Sequence, residues 1–156
     1  MGYSVHQSRS VFRIKRENIP AALKAIQTMV EPDPDTGHVF KYSWVSAEFY
    51  KKSSLTDILS AWRWGDVECD VNGDIRDICF QGEKLGDDKV LFFHLAPYVE
   101  HGSYIEMIGE DDDRWRWVFW RGELREEYPR IIWDYEQMTP AMELAEVIGE
   151  ELAETA

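Results

Sequence analysis

Three groups of residues have types and spacing that invite chemistry. The first lies in Gly109 to Glu123, GEDDDRWRWVFWRGE, where Glu110, Asp111, Asp112 and Asp113 precede Trp115, Trp117, Phe119 and Trp120, interleaved with Arg114 and Arg116. Clustered carboxylates imitate the phosphates that a basic protein recognises, and arginine with tryptophan is the composition in which interface energy concentrates. The second group is Trp44, Trp62, Trp64 and Trp117, which could stack a planar ligand in a pocket, with His94 and Glu106 as polar groups to hold it. The third is the C-terminal stretch, where Glu143, Glu146 and Glu150 recur at helical spacing and no Lys or Arg occurs from Glu136 to the end.

Other chemistries fail on spacing. Consecutive carboxylates on a tight turn splay apart, whereas hard cations need converging oxygens, so no metal site is expected at 110–113. Asp70-Val-Asn-Gly-Asp74 departs from a calcium loop because glycine falls fourth and Gln81 stands where the closing glutamate belongs. No nucleophile elbow, cysteine-protease signature or Gly-rich phosphate loop occurs, and no cofactor is expected. The reading is of a non-enzymatic protein.

Charge narrows the partners. The 156 residues carry 30 Asp/Glu against 17 Lys/Arg, a net of −13. Residues 1–30 hold five Lys/Arg and one Glu, a local +4 that leaves −17 for residues 31–156. Such a field repels phosphate backbones, so direct nucleic-acid binding is not expected and a basic protein partner is. No apolar run is long enough for a membrane span, and Met1 to Lys15 lacks the apolar centre of a signal peptide, which reads as a cytoplasmic protein without membrane contact. Cys69 and Cys79 alone make no disulfide framework and read as reduced packing residues.

These groups need elements to position them, and the length predicts one domain over 1–156. Tyr3 to Lys15 alternates as a strand, with Phe12 and Ile14 on one face. Asn18 and Pro20 then open a helix whose stripe is Ile19, Leu23, Ile26 and Val30. Glu31 to Gly37 breaks it. His38 to Val45 reads as a strand and Ser54 to Trp62 as a helix capped by Ser54. Asn72-Gly73 predicts a two-residue hairpin turn, setting Val71 opposite Asp74, Cys69 opposite Arg76 and Val67 opposite Ile78, with Val67, Cys69, Val71, Ile78 and Phe80 as the apolar face.

Asp87 caps a helix reaching Val99, with Val90, Leu91, His94 and Leu95 buried. Tyr104 to Ile108 and Arg114 to Trp120 form a hairpin with Ile105 opposite Phe119, Met107 opposite Trp117 and Trp115 over Gly109. Trp115, Trp117 and Phe119 then aim at the core, and Trp120 is left with Arg116 and Val118 outside. Arg114 and Arg116 are placed to neutralise the acidic turn. Arg121-Gly122 turns the chain to set Leu124 opposite Phe119, Ile131 to Tyr135 reads as an edge strand, and Thr139-Pro140 starts an acidic C-terminal helix with Leu144, Ile148 and Leu152 as its stripe.

The run from Gly82 to Phe119, GEKLGDD followed by LAPYVEHGSYIEMIGEDDDRWRWVF, resembles a pattern in small uncharacterised proteins of bacteria, their phages and plasmids. The resemblance covers about a quarter of the chain, implies an accessory protein of a mobile element and assigns no site residue.

Together these observations predict an α+β fold, an antiparallel sheet with three to four helices packed mainly on one face. The function expected is that of an acidic interaction module docking on a basic protein through Glu110, Asp111, Asp112, Asp113, Arg116, Trp120, Glu143, Glu146 and Glu150. A small-molecule protein using the aromatic set is the alternative, and a homodimer through the outer sheet face is compatible with either.

Overall fold

A computed structural model describes residues 2–141. The elements are β1 (Val5–Val11), α1 (Ile19–Gln27), α2 (Leu55–Ala61), β2 (Trp64–Cys69), β3 (Ile75–Phe80), α3 (Asp88–Leu95), β4 (Tyr104–Gly109), β5 (Arg114–Trp120) and β6 (Glu123–Glu127). β1, β4, β5 and β6 form a four-stranded antiparallel sheet in the order β1-β4-β5-β6, and β2 and β3 form a second, two-stranded sheet. The fold is α+β.

Local chemistry accounts for the helices. Pro20 sits in the first turn of α1, where a missing N–H costs nothing, and the helix buries Ala22 and Ile26 with Ile19 and Leu23 half-buried. Asn18 holds the cap position without a side-chain bond. Ser54 Oγ accepts from the Asp57 N–H at 3.1 Å, so α2 starts at its cap and buries Leu55, Ile58 and Leu59. α3 stops at Leu95, four residues short of Val99, because Pro97 draws Ala96–Tyr98 into a 3-10 turn. Its buried face is Asp88, Leu91, Phe92 and Leu95, whereas Val90 and His94 are half-buried.

Phe92 is the centre of the core. Its ring meets Trp64 at 4.9 Å, Trp117 at 5.3 Å, Phe119 at 5.9 Å and Phe12 at 6.0 Å between centroids, mostly edge to face. Asp88 is buried beneath it and fully engaged. The carboxylate accepts from Trp64 Nε1 at 2.8 Å, from the Gly86 N–H at 2.8 Å and from Arg63 at 3.1 Å. Arg63 in turn lies over the Phe80 ring at 5.4 Å.

Two expected strands do not form. In His38 to Val45, Trp44 has φ of 68° and the Val45 N–H turns back to Tyr42 O, a left-handed bend that a strand cannot contain. Tyr42 there packs on Trp62 at 5.0 Å. Ile131 to Tyr135 is likewise outside any strand, with Ile131, Ile132 and Trp133 at least 80 % exposed. The strand after β5 is instead β6, charged and of low intrinsic β preference. Arg121 and Gly122 both have positive φ, at 52° and 81°, the geometry of the tight hairpin turn whose twist matches its strands, and it delivers Leu124 opposite Phe119 as the sequence predicts.

Both hairpin registers differ from expectation. Between β2 and β3, Cys69 pairs with Ile75 and Trp64 with Phe80, with irregularities on either side of Glu68. Asp70 Oδ1 accepts from the N–H of Asn72 and of Asp74, so a longer turn replaces the two-residue loop. Val71 and Cys69 are therefore exposed, as is Cys79, and the apolar face is Trp64, Ile75, Ile78 and Phe80. The cysteines are not packing residues. Between β4 and β5, Ile105 pairs with Trp117 and Met107 with Trp115, two residues from the expected register, because the Gly109 N–H closes the turn on Asp113 O. A shift of two keeps every side chain on its face. Trp117 and Phe119 are fully buried and Trp115 half-buried.

The two sheets meet along β1. Ile14 and Ile75 exchange two backbone bonds at 2.9 and 3.0 Å, and the Val5 N–H donates to Glu83 O at 2.8 Å. Between them a side chain stands in for the ladder: the Gln7 carboxamide accepts from the Phe80 N–H at 2.7 Å and donates to Ile78 O at 3.0 Å. Ser10 Oγ adds a bond to Asp77 at 2.6 Å. No described helix is long and apolar enough to cross a membrane. The expected C-terminal helix, with Leu144, Ile148 and Leu152, lies outside the described residues.

Candidate protein-docking face

The register of β4, β5 and β6 brings Tyr104, Glu106 and Ile108, then Arg114, Arg116, Val118 and Trp120, then Glu123, Arg125 and Glu127 onto the face away from Trp117 and Phe119. Trp120 is 40 % exposed. Its indole lies 4.2 Å from the His101 ring, and His101 Nδ1 accepts from the Arg121 N–H at 3.0 Å, so the turn itself holds the imidazole beneath the indole. At the other end of the seven-residue β5, roughly 20 Å away, is the acidic turn.

That turn is anchored through its backbone. The Glu110 N–H donates to Ser4 O at 2.9 Å, the Asp112 N–H to Gly109 O at 3.0 Å, and Tyr3 OH reaches Asp113 at 3.4 Å. At Gly109 a Cβ would meet the Tyr3 ring, so a larger residue there would displace the tyrosine from the turn. Burial and the neighbouring Asp111 and Asp113 charges raise the Tyr3 phenol pKa, partly offset by its bond from the Asp111 backbone. Among the described residues, none of Glu110, Asp111, Asp112 and Asp113 is in an ion pair, and all four are exposed.

Arg114 and Arg116 do not neutralise the turn, contrary to the sequence expectation. Both face Glu106, where Arg116 Nε donates to Oε1 at 3.0 Å, Arg114 stands 3.6 Å from Oε2, and Arg9 of β1 stands 3.7 Å from Oε2. The attraction is to the one carboxylate on this face that is 7 % exposed, since a partly buried charge is screened less than those on the turn. Burial alone would raise the Glu106 pKa. Bonding from the Ser8 hydroxyl and Arg116, with the charges of Arg116 and Arg9, outweighs it and holds the carboxyl below its ordinary range. Arg116 also lies over the Tyr104 ring at 5.0 Å. Arg13, another basic residue of the first strand region, pairs with Glu100 at 3.3 Å.

Of the aromatic set, Trp62, Trp64 and Trp117 are 0–1 % exposed and form core, while Trp44 is 62 % exposed near Arg63. His94 Nδ1 is bonded to Val90 O at 2.8 Å, beside an open groove between α1, α3 and the β5–β6 turn, and Glu106 is on the opposite sheet face. These six residues are not brought to one cavity. Glu143, Glu146 and Glu150 lie outside the described residues.

Sequence reasoning missed the role of Glu106 as a shared partner for arginines, though its alternation with Tyr104 and Ile108 opposite Arg114 and Arg116 is readable once the hairpin register is set. It missed Asp88 altogether, because Trp64 and Arg63 are 24 and 25 residues distant in the chain. No protein-family model matches the chain, and no curated protein or solved structure matches it.

Proposed function

We propose that the protein is a non-enzymatic acidic interaction module, an accessory or inhibitor protein of a mobile element that docks on a basic, nucleic-acid-binding protein. The observation that carries the reading is the uncompensated turn: four exposed carboxylates whose nearest arginines are drawn to Glu106 instead. Unpaired surface charge of one sign accelerates encounter with the opposite sign, and a partly exposed indole on the same strand sets how long the partner stays. In this reading the helices pack mainly on the Trp117 and Phe119 face, leaving the opposite face for the partner, and Glu143, Glu146 and Glu150 extend the acidic surface.

Pull-down from a bacterial lysate, followed by binding kinetics on the captured protein, tests the proposal. A basic partner is retained at low salt and released at high salt. Glu110→Lys with Asp111→Lys and Asp112→Lys lowers the association rate at least tenfold, and Trp120→Ala speeds dissociation by about 30-fold, the size of a hot-spot loss near 2 kcal/mol. Capture that is indifferent to the charge reversal would overturn the reading.

A further inference from the structure

The same arginines that leave the acidic turn bare gather into a basic spot of their own. Arg114, Arg116 and Arg130 border a cavity of about 270 Å³ where β5 meets the chain leaving β6, with Glu106 and Glu127 as its carboxylates and Trp115 and Tyr128 at its rim. Arg9 adds a fourth guanidinium at Glu106. The lining holds three guanidiniums against two carboxylates in a chain whose net charge is −13.

Satisfying Glu106 does not require this many cations. Of the arginines, Arg116 alone makes a hydrogen bond to it, at 3.0 Å. Arg9 and Arg114 stand at 3.7 and 3.6 Å, short of a well-formed bond to Oε2, and their side chains are 66 % and 51 % exposed. Arg130 is exposed and in no ion pair among the described residues. Arg114 and Arg130 therefore line the cavity without a side-chain hydrogen bond among the described residues, and planar forks of this kind match tetrahedral oxyanions in paired bonds.

We propose that this cavity is a binding site for a dianionic tetrahedral oxyanion, of the phosphate type, held by Arg114, Arg116 and Arg130. The paired N–H forks of the three arginines match its oxygens, and Glu106 acts as the internal counter-ion that keeps the arginines gathered when the site is empty. The site lies on the same sheet face as the docking surface, between Trp120 and the acidic turn, and shares Arg116 with it, but it uses neither Trp120 nor the carboxylates of 110–113. Its failure would leave the docking proposal standing, and the reverse holds.

The test is calorimetric titration at constant ionic strength in a zwitterionic buffer, with inorganic phosphate, sulfate and acetate as probes and a short phosphoserine peptide as a further arm. Phosphate and sulfate bind saturably in the millimolar range or tighter, and acetate, with one charge and a planar head, binds at least tenfold more weakly. A peptide that outcompetes phosphate identifies a phosphorylated chain as the natural source; free phosphate equal to it or better identifies a small anion. Arg130→Gln touches no ion pair in the fold and weakens phosphate about tenfold, the loss of one charge-assisted bond. Glu106→Gln removes the internal competitor and tightens phosphate. Absence of saturable binding, equal binding of acetate, or an Arg130→Gln protein that binds as wild type would overturn the site.

Discussion

Asp88 shows how much one carboxylate can hold. It is 1 % exposed and accepts from an indole, a backbone amide and a guanidinium drawn from two separate parts of the chain. Asp88→Ala removes the acceptor and strands Arg63, whose own side chain is largely covered, so chemical denaturation should show a loss of about 3–5 kcal/mol. Glu126 holds a second junction by the same means. Burial pushes its pKa up, but bonds from Lys89 and Trp117, the Lys89 charge and a bond from Tyr128 outweigh burial, and the folded pKa lies below the ordinary glutamate value. A group lowered on folding stabilises above its unfolded pKa and loses that contribution as pH falls through the folded one. Stability measured between pH 7 and 3 should therefore decline on the acid side, and Glu126→Gln should flatten the decline while leaving less stability at pH 7.

At the scale of elements, what could be read in the chain depended on how far the deciding contact lay. The helices opened by Pro20 and Ser54 were legible because cap and first turn are neighbours, and the face of Trp117 and Phe119 followed from strand period alone. The β4–β5 register was not legible, since the turn that closes from Gly109 to Asp113 also bonds to Ser4 and Tyr3, at the far end of the sequence. Trp44 looked like a strand residue until its left-handed backbone was seen. Of the candidate site, the acidic turn and the exposed Trp120 were visible in the pattern, whereas the diversion of arginines to Glu106 needed Arg9 from another strand. β6 makes the same point from the opposite side: its five residues, ELREE, pair because the turn at Arg121 and Gly122 obliges them to. Gly122→Ala forces an L side chain into the left-handed region at a cost of about 1–2 kcal/mol. Hydrogen exchange should locate that loss, with β6 amides exchanging faster and those of β4 little changed.

Across the whole molecule the surplus of acid opposes compaction, because like charges spread over one surface repel each other more when folded than when extended. Raising sodium chloride from about 10 to about 150 mM shortens the screening length from roughly 30 to 8 Å, and the melting temperature should rise with it. A melting temperature that fell would mean that favourable pairs such as Arg13 with Glu100 outweigh the repulsion. The join between the two sheets has a consequence of another kind. In an unbroken six-stranded ladder every rung is main chain, common to all residue types, and no ordinary replacement could unfasten it. Here one rung is the carboxamide of Gln7, so replacing that single side chain would open the middle of the seam while the main-chain bonds at Ile14 and Val5 keep its two ends fastened.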